Sequence, residues 1–249
     1  MRKLTGILLS LALVSAFAVP AHAEPGVSAK SAILMHADSG RVLYEKNADE
    51  HMLIASTTKI MTAIVVLEHC ALDELVEVDE RSAGIEGSSM YLKAGESYTV
   101  EDLLYGLMLA SGNDAASALA LHVADSLEDF AALMNEKAAA LGMTESSFKN
   151  PHGLDEEGHY STARDMAKLA ACCMENPDFA RIAGTVSHTV GEQTYVNHNR
   201  LLREYDGCLG LKTGYTMAAG RTLVTCAERD GARYVCVTLN DPDDWDVHK

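Results

Sequence analysis

Ile54-Ala55-Ser56-Thr57-Thr58-Lys59-Ile60-Met61-Thr62-Ala63 opens a segment in which Ile60, Ala63, Ile64 and Leu67 fall at i, i+3, i+4 and i+7. With no Gly or Pro before Cys70, that spacing predicts a buried helix from Ser56 to about Cys70. On such a helix Ser56 and Lys59 share a face, so the lysine amine reaches the serine Oγ. An ammonium has no lone pair to take a proton. Desolvation and the positive end of the helix both favour the neutral amine, and a neutral Lys59 is a general base for a Ser56 nucleophile. The backbone N–H of Ser56, at the start of the same helix, offers one donor to an oxyanion. Taken singly, Ser56 reads better as a helix cap and Lys59 as a solvated helix lysine.

Upstream, Ser31 to His36 and Arg41 to Glu45 read as two short strands joined by a turn at Asp38-Ser39-Gly40. Downstream, Thr99 followed by Asp102 starts a short helix that ends before Ser111-Gly112-Asn113. Ala-rich helices follow from Asp114 to Ala124 and from Leu127 to Leu141, where Gly142 is a stop, and another from Thr162 to Met174, ended by Asn176-Pro177. From Val186 the pattern alternates: a Gly191-Glu192 turn, a strand before Lys212, and a hairpin of Thr222 to Ala227 with Tyr234 to Leu239. Strands at both ends enclosing helices predict an α+β fold. Its antiparallel sheet draws on both termini, and the central helices form a lobe across a cleft.

The chain has 249 residues and a formal charge of −16, which argues against a phosphate backbone as partner. Arg2 and Lys3, the apolar run Leu8 to Val19, and Ala21-His22-Ala23 make the three parts of a secretory signal. The run falls short of the roughly 20 residues that span a bilayer. Residues 1–23 are therefore expected to be removed, leaving an exported, extracytoplasmic domain over 24–249. The six cysteines show no disulfide framework, and no Cys-Xaa-Xaa-Cys or paired-His spacing suggests zinc, so neither metal nor cofactor is expected. Cys70, Cys172 and Cys173 read as small apolar groups on helices. Cys226 and Cys236 flank an Asp230-Gly231 turn, and one residue of register decides whether they face each other.

Three short motifs occur in order: Ser56-Thr57-Thr58-Lys59, Ser111-Gly112-Asn113 and Lys212-Thr213-Gly214. Together they resemble the motif set of penicillin-binding enzymes and class A β-lactamases. With Met108-Leu109-Ala110 before the second, Asp114-Ala115-Ala116 after it, and Asn150-Pro151-His152-Gly153-Leu154, the chain from about Val27 onward resembles the low-molecular-mass serine D-alanyl-D-alanine carboxypeptidases, peptidase family S11. The resemblance implies a β-lactamase/transpeptidase-like fold. It also implies removal of the terminal D-alanine from peptidoglycan stem peptides ending in D-Ala-D-Ala, through an acyl-enzyme on Ser56 that penicillin traps. By the same resemblance Lys212 and Thr213 bind the substrate's terminal carboxylate, Gly214 allows close backbone approach, and Tyr215 supplies the second oxyanion N–H. Ser111 and Asn113 resemble the pair that relays the leaving-group proton and bonds Lys59 and the substrate amide. Asn197-His198-Asn199-Arg200 departs from relatives that carry Arg between the asparagines, and no role is carried over to His198 or Arg200.

A β-lactamase also needs a Glu followed four residues later by Asn to activate water against the ester, and no such pair lies between Asn113 and Lys212. A non-catalytic sensor of β-lactams or peptidoglycan would use the same residues for a single acylation. Family members usually continue past Trp245-Asp246-Val247-His248 into a last helix, a β-rich domain and an amphipathic membrane anchor. The expectation is a catalytic domain without that helix, one sheet face left open, and no membrane anchor in this chain.

Overall fold

The computed structural model describes residues 26–249; the expected secretory signal, residues 1–23, lies outside them. β1 (Ser31–His36) and β2 (Val42–Lys46) form the predicted hairpin, with Gly40 at φ +67° in its turn. A 3-10 turn, Ala55–Thr58, leads into α1 (Lys59–His69). The short strands β3 (Leu75–Glu77) and β4 (Ser97–Thr99) pair as a ribbon that periodicity did not reveal. The lobe is completed by α2 (Val100–Leu109), α3 (Asn113–Val123), α4 (Leu127–Ala140), α5 (Ala163–Cys173) and α6 (Pro177–Ala183). Then come the hairpin β5 (Ser187–Val190) and β6 (Gln193–Val196), a single turn α7 (Leu201–Glu204), the strands β7 (Cys208–Thr216), β8 (Gly220–Arg229) and β9 (Ala232–Leu239), and α8 (Asp244–Val247).

The sheet has the order β2-β1-β9-β8-β7 and is antiparallel throughout, so strands from both ends of the chain meet at the β1–β9 pair, as predicted. Side-chain alternation sends Ile33, Val224, Val235 and Val237 into the core, where α5 packs on β1, β8 and β9. α1 runs through the middle of the lobe, in contact with α2, α3, α4 and α5, and its residues from Lys59 to Val66 are all buried. Each such Ile or Val contributes about 1.5–3 kcal/mol of apolar burial. The opposite face of the sheet carries an open groove lined by Ala32, Leu34, Tyr44, Cys236 and Thr238.

Helix starts follow their caps. Thr99, Ser126 and Thr162 each accept a hydrogen bond from the backbone N–H three residues on. Two expectations are corrected. The helix expected from Ser56 begins at Lys59, because Ala55 takes φ +46° and the Thr57 hydroxyl donates to the Ile54 carbonyl, tightening the preceding residues into a 3-10 turn. Asn176-Pro177 ends one helix and also starts α6: Asn176 accepts from Asp178 and Phe179 N–H, and Pro177 occupies the first turn. The register pairs Cys226 with Val235 and Thr225 with Cys236, which puts the two thiols on opposite faces of the sheet, both free.

Candidate active site

The 3-10 turn places Ser56 at the N-terminus of α1 and against the end of β7. In a 3-10 turn, residues i and i+3 eclipse more closely than on an α-helix, so the shorter helix strengthens the expected pairing. Lys59 Nζ lies 3.0 Å from Ser56 Oγ. The amine donates to Asn113 Oδ1 at 2.7 Å and to the His152 carbonyl at 2.6 Å. It is fully buried. Burial, reinforced by the Lys212 charge and opposed by Asp114, holds it well below the usual lysine range. A neutral amine has two N–H donors and one lone pair. With both donors engaged by Asn113 and His152, the lone pair is left for the Ser56 hydroxyl.

Asn113 stands at the first residue of α3, directly across from the start of α1. Its amide is engaged on both sides, since Nδ2 donates to the Glu86 carbonyl at 2.6 Å, and its backbone N–H donates to Ser88 O. The Glu86 carbonyl takes one of the two Nδ2 hydrogens and leaves the second free for the expected bond to a substrate amide. Ser111, at φ +62°, lines the cavity beside Ser56 and, among the described residues, makes no hydrogen bond to Lys59. Asp114 anchors the segment that crosses above: its carboxylate accepts from Met90, Leu92 and Ala115 N–H and from the Ser89 hydroxyl.

β7 forms the opposite wall. Lys212 is buried and brought down to about 7 by desolvation, and its Nζ donates to the Thr213 carbonyl. A β-carbon on Gly214 would meet Thr222 Oγ1 at 2.4 Å and Ser56 N at 2.9 Å, so only glycine lets this strand approach the nucleophile's N–H. Thr222 ties β8 to the same place by donating to the Ile54 carbonyl at 3.1 Å. Tyr215 follows with an exposed side chain. Five of the predicted residues, Ser56, Ser111, Thr213, Gly214 and Tyr215, line one cavity of about 530 Å³, while Lys59, Asn113 and Lys212 are buried outside its lining.

Some participants escaped the sequence reading. The His152 carbonyl is a partner of Lys59, and Pro151 O accepts from Thr62 Oγ1 at 2.6 Å, so Asn150-Pro151-His152-Gly153 is the floor of the site. The motif was visible, but a carbonyl contact leaves no side-chain signature. His198 lines the cavity, and burial beside Lys212 lowers its pKa. Arg200 instead lies over the ring of Trp245 at 4.8 Å. Arg221 and Asp244, 3.6 Å apart, close the far rim.

The profile of the D-alanyl-D-alanine carboxypeptidases, peptidase family S11, matches residues 18–243. The D-alanyl-D-alanine carboxypeptidase DacF of Bacillus subtilis is 41% identical over 251 residues, covering 95% of this chain and 64% of its own length. Among solved structures, the D-alanyl-D-alanine carboxypeptidase of Mycobacterium tuberculosis H37Rv superposes with a TM-score of 0.86 at 38% identity, covering 92% of this chain and 90% of its own. Penicillin binding protein 6B of Escherichia coli gives 0.84 at 32%, covering 89% and 74%. The chain spans about three fifths of the length of the first curated relatives it matches. The match over residues 18–243, together with these relatives, shows that the chain belongs to the D-alanyl-D-alanine carboxypeptidase family.

Proposed function

We propose that the protein is a serine D-alanyl-D-alanine carboxypeptidase that trims peptidoglycan stem peptides and is acylated by penicillin. The observation that carries this is the buried Lys59 Nζ, 3.0 Å from Ser56 Oγ and bonded to Asn113 Oδ1 and the His152 carbonyl, where burial favours the neutral amine that can take the hydroxyl proton. Ser56 Oγ attacks the carbonyl carbon of the penultimate D-alanine as its proton passes to Lys59. The oxyanion is received by the N–H groups of Ser56 and Tyr215, and Lys212 with Thr213 binds the terminal carboxylate. The C–N bond then breaks, the proton goes to the departing D-alanine amine, and water hydrolyses the ester. Ser111, on the cavity wall beside Ser56, is assigned with Asn113 the relay of that proton.

The site acts outside the cytoplasmic membrane, the signal-like segment at 1–23 supplying export; N-terminal sequencing of the exported protein should begin near Glu24. No helix among the described residues is long and apolar enough to cross a membrane. The test of activity is incubation with a peptide ending in D-Ala-D-Ala, with free D-alanine assayed, beside intact-mass analysis after brief exposure to benzylpenicillin. Release of D-alanine and a persistent one-to-one adduct on the Ser56 peptide are expected. An adduct without D-alanine release would make the protein a sensor, and rapid turnover of the drug would make it a β-lactamase.

A further inference from the structure

α1 and α3 both begin at the catalytic site, Lys59 touching Asn113, and they pack side by side. They therefore also end near each other. Cys70 follows the last residue of α1, His122 lies in the last turn of α3, and Glu74 closes the short turn between α1 and β3. The Cys70 thiol, a Glu74 carboxylate oxygen and an imidazole nitrogen of His122 all lie within 4.8 Å of one another, and Glu74 Oε2 is 3.4 Å from His122 Nε2. At about 1.5 Å per residue the eleven positions from Lys59 to Cys70 set this cluster roughly 16 Å from the catalytic amine. It is outside the machinery described above.

The main chain that carries Cys70 and Glu74 is held by hydrogen bonds, and His122 stands on the last turn of α3. Cys70 N–H donates to Val66 O, Glu74 N–H to Ala71 O, and Val100 N–H to Glu74 O. The other Glu74 oxygen is oriented by the backbone N–H of Ala71, the kind of outer contact that aims a metal ligand. Thiolate, imidazole and carboxylate together suit a borderline-soft divalent ion. Zinc bonds to them at about 2.0–2.3 Å, so closing the cluster asks only for side-chain rotation. Two helix C-termini, with their outward carbonyls, add negative potential at this place.

We propose that Cys70, Glu74 and His122 form a zinc-class metal site that ties the C-terminal ends of α1 and α3 together, with solvent water as the fourth ligand. Binding displaces the thiol proton of Cys70 into solvent and forms the metal–sulfur bond, with no change of oxidation state. Sequence spacing does not show the site, because His122 is remote from the Cys70 and Glu74 pair along the chain and meets it only through the packing of the two helices. An exported domain would find such an ion in its surroundings rather than receive it in the cytoplasm.

The test uses the full chain, reduced and metal-stripped, titrated at neutral pH with Co²⁺ as a spectroscopic probe and then with Zn²⁺. One equivalent of Co²⁺ should produce a thiolate-to-metal charge-transfer band, and Zn²⁺ should bleach it and raise the thermal midpoint by several degrees. Cys70→Ser should abolish the band, and the exposed variant His122→Ala should weaken Co²⁺ binding by at least about tenfold. Cys172→Ser should leave both unchanged, and penicillin labelling of Ser56 should be the same in all three variants. Absence of the band in the wild type, its persistence in Cys70→Ser, or its loss in Cys172→Ser would overturn the proposal.

Discussion

The N-terminal end and the body of the α1–α3 pair are built on opposite rules. At the N-terminal end the backbone departs from helical geometry at Ala55 and Ser111, both at positive φ, and buried polar groups crowd together: Lys59, Asn113, Asp114 and Lys212. A few residues further along, Ile64, Val66, Leu119 and Ala120 are buried in the hydrophobic core. Two of the six described non-glycine residues at positive φ and several desolvated polar groups lie at this end, and the apolar remainder of the same helices supplies burial that offsets them. Helix starts offer N–H groups and positive potential, which an oxyanion needs and a core does not.

That contrast can be broken most sharply at Ser56. Ser56→Ala should abolish both D-alanine release and covalent penicillin labelling, and Lys59→Ala should lower the acylation rate by about 10²–10⁴-fold, the range of a lost general base. Stopped-flow acylation kinetics would measure this, and wild-type labelling in either variant would refute the assigned roles. In the body of the pair, Leu119→Ala should cost about 2–5 kcal/mol of stability by opening a core cavity. Its labelling rate per folded molecule should not change; a loss of rate without a loss of stability, by denaturant titration, would dissolve the distinction.

The pH profile sharpens it further. Lys59 must be neutral to accept the proton, so activity rises as pH passes upward through its depressed pKa. Lys212 must be charged to hold a carboxylate, so kcat/KM should fall about tenfold per unit above its pKa of about 7 in the free enzyme. Bound substrate carboxylate raises that pKa, and the limb in kcat should lie at higher pH. In Lys212→Arg the alkaline limb of kcat/KM should vanish; its survival would assign it to another group. The smallest effect concerns a cap: Thr99→Ala should cost about 1 kcal/mol through the lost bond to the Asp102 N–H, with unchanged kinetics.

Periodicity and capping signals were enough for most elements, because a helix in this lobe buries one stripe and declares its start with Thr99, Ser126 or Thr162. They failed where a local bond competes with a repeating one. The Thr57 hydroxyl bond to Ile54 delays α1 by three residues, and Asn176 caps a second helix where Asn-Pro read only as a stop. The ribbon β3–β4 is three residues a side, too short for alternation to register.

The sequence by itself determined the α+β order, the sheet drawn from both ends, and the ordered motifs that name Ser56, Lys59, Asn113 and Lys212. The element order and the sheet rest on residue type and local spacing, whereas the named residues rest on the resemblance that the three motifs together carry. Only the tertiary structure decided the contacts between segments. The His152 carbonyl beneath Lys59, the occupation of Asn113 Nδ2 by Glu86, the separation of Cys226 from Cys236 across the sheet, and the meeting of Cys70, Glu74 and His122 all belong to that group. A carbonyl contact, a strand register and a pair of converging helix ends carry no residue signature, since backbone groups are the same in every residue and packing is set by the whole core.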